Sequence, residues 1–144
     1  MTTALYSHPD CKLHEMGSWH PEAPERLSAI EDQLIASQTA PFLEYRSAPL
    51  VEIDHILRVH SPEVIERIRS HTPVEYGGTL DHALTYFELD PDTAINPFSW
   101  HAALRAAGAA VAATQAVIDG EIENAFCAIR PPGHHATLSL IHIS

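Results

Sequence analysis

Between Ser99 and Asp119 the chain reads as one long alanine-rich helix, and a few residues later an apolar run extends from Asn124 to Ile129. Leu104, Ala107, Val111 and Val117-Ile118 fall on one side of that helix, Gly120 supplies the stop, and the many small residues predict close packing against a sheet. The run Asn124-Ala125-Phe126-Cys127-Ala128-Ile129 does not alternate, which predicts a strand buried on both faces. A helix leading into such a strand restricts the fold to an α/β architecture with a mainly parallel sheet. In sheets of that kind the carboxyl ends of the strands form the rim where ligands bind. Arg130-Pro131-Pro132-Gly133-His134-His135 falls at that rim.

The rest of the chain supplies further elements. Thr3 to Tyr6 fits a short strand, and Ser7 to Glu22, with its His, Pro, Gly and Trp, reads as a long ordered loop. From Pro24 to Ser37 an amphipathic helix is expected, with Leu27, Ile30, Leu34 and Ile35 at helical spacing. Phe42 to Tyr45 fits a strand, and Val51 to Val59 a helix with Ile53, Ile56 and Leu57 inward. Ser61-Pro62-Glu63 starts another helix, whose buried stripe is Val64, Ile65 and Ile68. Thr72 to Asp92, with Gly77-Gly78, reads as an excursion without period. Neither a repeat nor a domain boundary is evident.

Charge and composition narrow the function. Eight Lys and Arg against 19 Asp and Glu leave a formal charge of −11, which repels phosphate backbones and argues against nucleic acid as a direct ligand. No stretch approaches the roughly 18 to 20 apolar residues of a membrane span, and the N-terminal residues lack a signal-peptide pattern, so no membrane partner and a cytosolic location are expected. Cys11 and Cys127 are expected to be reduced thiols. Of the 11 histidines, His8, His14, His55, His71, His82 and His101 read as surface or loop residues, whereas the pair His134-His135 has a chemical context.

Two imidazoles after a Pro-Pro-Gly bend suit paired proton handling, because the prolines limit backbone freedom and the glycine permits a close or left-handed turn. Near neutral pH one imidazole takes a proton from water, while a more basic one supplies positive charge or returns a proton to a leaving amine. Amide hydrolysis needs both transfers.

Arg130-Pro131-Pro132-Gly133-His134-His135-Ala136 resembles the signature of the histone deacetylase and acetylpolyamine amidohydrolase superfamily. Three further segments agree in order and spacing: His20-Pro21-Glu22-Ala23-Pro24-Glu25-Arg26-Leu27, Asp90-Pro91-Asp92-Thr93, and the helix start from Ser99 to Gly108. The Pro-Glu-Arg variant looks more like the class II and bacterial amidohydrolase branch. The resemblance spans Leu5 to Ala136 and implies an arginase/deacetylase-like three-layer α/β/α fold, incomplete at the C-terminus, with residues 1–136 as the N-terminal part of the domain. It implies a zinc-dependent deacetylase acting on acetyl-lysine, acetylpolyamine or a similar acylated amine. His134 would take the electrostatic or general-acid role and His135 would be the base acting on zinc-bound water. His20, Arg26, Arg130 and Gly133 would be structural members of the motifs, and Asp92 would approach the substrate. The resemblance leaves the oligomeric state open.

The chain departs from the family after Ala136. The family's Gly-Phe-Cys segment, its Asp-x-His and later Asp zinc ligands and its catalytic tyrosine have no counterpart, and residues 137–144 match no family segment. The expectation is that the chain holds no metal by itself and that the isolated chain is inactive. Two other readings compete: an inactive binding or interaction fragment with the same architecture, and a histidine-rich metal-binding module, for which only the histidine count speaks; His142 as a replacement zinc ligand lacks the further ligands such a site needs.

Overall fold

The computed structural model describes residues 2–73 and 86–133. In chain order it contains β1 (Thr3–Ser7), the one-turn helix α1 (Asp10–Leu13), α2 (Glu25–Ala36), β2 (Leu43–Ser47), the one-turn helix α3 (Ile53–Ile56), α4 (Pro62–His71), β3 (Phe87–Asp90), β4 (Thr93–Ile95), α5 (Ser99–Ile118) and β5 (Asn124–Cys127). The first sheet has the order β2-β1-β5, and both of its pairings are parallel, with Leu5 in register with Tyr45 on one side and Phe126 on the other. β3 and β4 form a separate antiparallel hairpin.

The two-residue period of β1 sorts its side chains between two helical layers. Ala4 and Tyr6 face α5, where they pack with Ala48, Ala109, Ala113, Ala116 and Ile122. Leu5 faces the opposite way, joining Cys11 of α1, Leu27 of α2 and Ala128, with Ile30 and Leu34 leaning in. A parallel sheet with a helical layer on each face is the three-layer α/β/α arrangement expected from the sequence. A third cluster seats α4 on the hairpin, through Val64 and Ile68 against Leu89 and Ile95, with Trp100 of α5 at its edge.

Several local expectations are corrected. The strand buried on both faces is β1, with Ala4, Leu5 and Tyr6 all nearly inaccessible, whereas Phe126 of β5 is 49% exposed. Among the described residues β5 pairs with β1 alone, so its α2-side face lies beyond the reach of the helix that covers Leu5. The sheet-facing side of α5 carries alanines, Ala109, Ala113 and Ala116; of the expected stripe Leu104 is buried, while Val111, Val117 and Ile118 are exposed. Close approach selects the smallest side chains. Ile35 is exposed because it is rotated off the stripe formed by Leu27, Ile30 and Leu34. The helix expected over Val51 to Val59 is limited to Ile53–Ile56, since Glu52 is extended, and the Val51 N–H before it is donated to the Leu104 carbonyl of α5. Ile53 and Leu57 then face solvent. The long loop before α2 contains α1, and the excursion after α4 contains β3, while Gly77-Gly78 and His82 lie outside the described residues.

Candidate active site

Because β1, β2 and β5 run parallel, the segments that follow them gather at one edge. Pairing continues there past the strands, with Ala48 N–H donating to the Ser7 carbonyl at 3.0 Å and Ala128 N–H to the Tyr6 carbonyl at 2.8 Å. From that edge the chain leaves β5 as a short strap, Ile129 to Gly133, with a cis peptide at Arg130-Pro131.

Arg130 anchors the strap and is completely buried. An arginine in that position needs an anionic partner and acceptors for its remaining N–H groups. Glu22 provides the carboxylate: Nε and Nη2 donate to its two oxygens, each at 2.6 Å. Nη1 donates to the carbonyls of Cys11 at 3.1 Å and His14 at 2.8 Å. The first of these is a carbonyl of α1 that has no partner inside so short a helix. The guanidinium thus ties β5 to the loop after β1 and to the segment leading into α2.

Arg26 adds a second tie, its Nη2 donating to the Ile129 carbonyl at 2.6 Å, and its Nε lies 3.7 Å from Glu22. His20 shapes the approach: its Nδ1 accepts the Glu22 N–H at 3.1 Å, its own N–H reaches the Gly17 carbonyl, and its ring meets Trp19 edge-on. The structure therefore brings Glu22 of the first motif onto Arg130 of the last one and Arg26 onto the neighbouring Ile129 carbonyl, more than a hundred residues away, with His20 holding the Glu22 backbone.

His14 corrects the expectation of a surface residue, being only 1% exposed. Its Nδ1 lies 2.7 Å from Ser99 Oγ, which donates to Asn96 Oδ1 and receives the Asn96 N–H. With the hydroxyl proton committed to Asn96, Nδ1 of His14 is the donor and Nε2 keeps its lone pair, without a hydrogen-bond partner among the described residues. Burial, reinforced by the Arg130 charge, lowers its pKa to about 4. The Asn96 side-chain amide also donates to the Leu13 carbonyl, which fastens the loop to the start of α5. Burial likewise pushes the Cys11 thiol up, partly opposed by its backbone hydrogen bond from Arg130.

Asp92 is exposed on the β3–β4 turn, where its N–H donates to Asp90 Oδ1, and it takes no part in holding the strap. Gly133 is exposed, lacks a positive φ, and a Cβ there would meet nothing within 4 Å; nothing in the described structure explains the glycine. His134, His135 and the segment 137–144, with His142, lie outside the described residues. Sequence reasoning overlooked Glu22 and His14 as partners of the strap. Glu22 carried a signal, since a charged residue next to a buried strand demands a counterion and Glu22 sits inside the quoted N-terminal motif. His14 carried none.

Beside the strap a cavity of about 420 Å³ opens between α3, α4 and α5, with Val59, Val64, Trp100, Leu104 and Pro131 in its wall. Apolar side chains dominate its lining, to which His55 and His60 also contribute.

A model of the histone deacetylase domain matches residues 20–141, most of the chain. The chain belongs to the histone deacetylase family. This deacetylase-family chain is 37% identical to a probable deacetylase of Archaeoglobus fulgidus over 94% of its own length and 35% of that protein. It is 36% identical to a histone deacetylase-like amidohydrolase of Pseudomonas aeruginosa, over 81% of its length and 28% of that protein. The crystal structure of the HDA15 HD domain superposes with a TM-score of 0.83 at 27% identity, covering 98% of this chain and 38% of that one. The deacetylase-family chain thus spans about a third of the length of these relatives.

The family implies a zinc ion. Among the described residues no group of three or more His, Cys, Asp or Glu side chains is placed to hold a metal ion. The described part of the site therefore does not fit a zinc centre. What it provides is a rigid, buried anchor for the strap that runs into the histidine pair.

Proposed function

We propose that this chain carries the tandem-histidine part of a zinc-dependent amidohydrolase that removes acetyl groups from acetyl-lysine, acetylpolyamine or a similar acylated amine. The observation that carries the reading is the strap. It places Arg130-Pro131-Pro132-Gly133 at the carboxyl edge of a parallel sheet, immediately before His134-His135, in a chain of the deacetylase family.

On this reading the two imidazoles divide the proton traffic of amide hydrolysis. His135 takes a proton from the attacking water, whose oxygen bonds to the carbonyl carbon. His134 supplies positive charge or returns a proton to the nitrogen as the C–N bond breaks, so that carboxylate and amine leave. Zinc dependence belongs to the proposal, with ligands outside the described residues. The two unpaired cysteines support a reducing compartment such as the cytosol. No helix among the described residues is long and apolar enough to cross a membrane.

The test is turnover of an acetyl-lysine peptide and an acetylpolyamine by the full-length protein, with and without a zinc chelator. His134→Ala and His135→Ala should each lower kcat far more than they weaken substrate binding. Near-normal turnover in both variants would sink the assignment, and the absence of turnover in the zinc-loaded wild type would favour an inactive binding role.

A further inference from the structure

We propose that Glu22 is a positioning residue: by holding both arms of the Arg130 guanidinium, it fixes the strap Ile129 to Gly133 and with it the direction in which the chain enters the histidine pair. The inference rests on the deacetylase reading for its catalytic consequence, but the strap contacts stand on their own.

Glu22 is largely buried and aligned by its own backbone, since its N–H is donated to His20 Nδ1. Its two oxygens receive Nε and Nη2 in a fork-to-fork pair, a geometry that constrains the guanidinium plane as well as its distance. The remaining arm, Nη1, is spent on two backbone carbonyls, so Arg130 has no alternative rotamer that keeps its bonds. Arg130 is also the last residue before two prolines, and prolines transmit direction because their φ is fixed. Arg26, which is close to Glu22, holds the preceding carbonyl of Ile129. Ile129, Pro131, Pro132 and Gly133 of the strap border the cavity between α3, α4 and α5. One carboxylate therefore holds the strap through Arg130, with Arg26 beside it on the Ile129 carbonyl, although it sits on a different segment from the histidines and need not touch substrate.

Hydrogen–deuterium exchange on the full-length protein tests this with wild type, Glu22→Gln and Glu22→Asp. Asp keeps the charge but is one methylene shorter, so it preserves the buried ion pair while pulling the guanidinium out of place, and it decides the matter where the Gln variant does not fold. The amides of Ile129 and Arg130 should exchange about tenfold faster or more in the variants, with β1 amides nearly unchanged. Equal protection of the strap in wild type and variants overturns the proposal, as does equal acceleration of strap and β1, which would make Glu22 a general stability residue.

Turnover supplies the second readout: a positioning role lowers kcat by about tenfold or more with KM little changed. A KM effect alone, with kcat intact, also overturns it. Should the wild type deacylate nothing, the deacetylase reading fails, and the exchange comparison still decides whether Glu22 holds the strap.

Discussion

Gly108 of α5 and Pro49, in the segment after β2, meet backbone to backbone: a Cβ on Gly108 would lie 1.9 Å from the Pro49 carbonyl oxygen and 3.0 Å from the Val51 nitrogen. The contact sits beside the Val51 N–H to Leu104 carbonyl bond and the Arg105 bond to the Ala48 carbonyl, so the loop is fastened to the helix on each side of the glycine. Gly108→Ala must push a bonded backbone away and should cost about 1–3 kcal/mol or more. Thermal unfolding checks this, and an unchanged Tm would contradict the close approach.

Gly120 presents the opposite case. It ends α5 with φ of +73° and open space around it, so the cost of a side chain there is conformational, not steric. Gly120→Ala should destabilise by about 1 kcal/mol, measurable by denaturant titration, and a loss as large as that of Gly108→Ala would show that crowding had been missed.

His14 makes stability depend on pH. Its folded pKa of about 4 lies below the ordinary 6.5, so between those values the unfolded chain binds the extra proton. Stability from this group is complete above pH 6.5, falls as pH drops through the window, and levels off below about 4. The total is on the order of 3 kcal/mol. His14→Gln should flatten that part of the stability profile, and parallel curves for variant and wild type would refute the assignment.

Arg130 should not tolerate lysine. Lys keeps the charge but has no fork, so the bidentate contact with Glu22 and most of the carbonyl bonds are lost inside a fully buried site. Arg130→Lys should cost about 3 kcal/mol or more. A stability close to wild type in urea titration would show that Glu22 needs only a positive charge nearby.

The two thiols should differ sharply in accessibility. Cys11 is fully buried between β1 and α2, whereas Cys127 is partly open, and burial raises both pKa values. A maleimide should label Cys127 slowly in the native protein and Cys11 only with denaturant. Equal labelling rates without denaturant would contradict the packing of α1.

The helix-to-strand pattern from Ser99 to Ile129 was enough to identify a helix-covered parallel sheet, because period and punctuation are local properties. What failed was the assignment of faces. Val111, Val117 and Ile118 looked like the buried stripe of α5 because they are large, yet the distance between helix and sheet admits only alanine, and that distance is set by the rest of the fold. Phe126 was read as doubly buried from hydrophobicity alone, which does not reveal how far a neighbouring helix extends. At the candidate site, the motifs pointed to His20, Arg26 and Arg130, but the pairing of Glu22 with Arg130 joins positions too far apart in sequence for spacing to show. The histidine pair itself was legible only as a motif, since it lies outside the described residues.

The register of the central strand sets a timetable. Thr3 pairs with Leu43 on one side but with Asn124 on the other, so β1 emerges from the ribosome long before its second neighbour exists. At roughly 5–20 residues per second, one edge of this central strand stays open for on the order of ten seconds. Its inner faces meanwhile await α5, whose alanines are also made late. The nascent chain therefore depends on α1, α2 and β2 to shield β1 during synthesis, and the vulnerable interval closes only when the strap bearing Arg130 reaches Glu22.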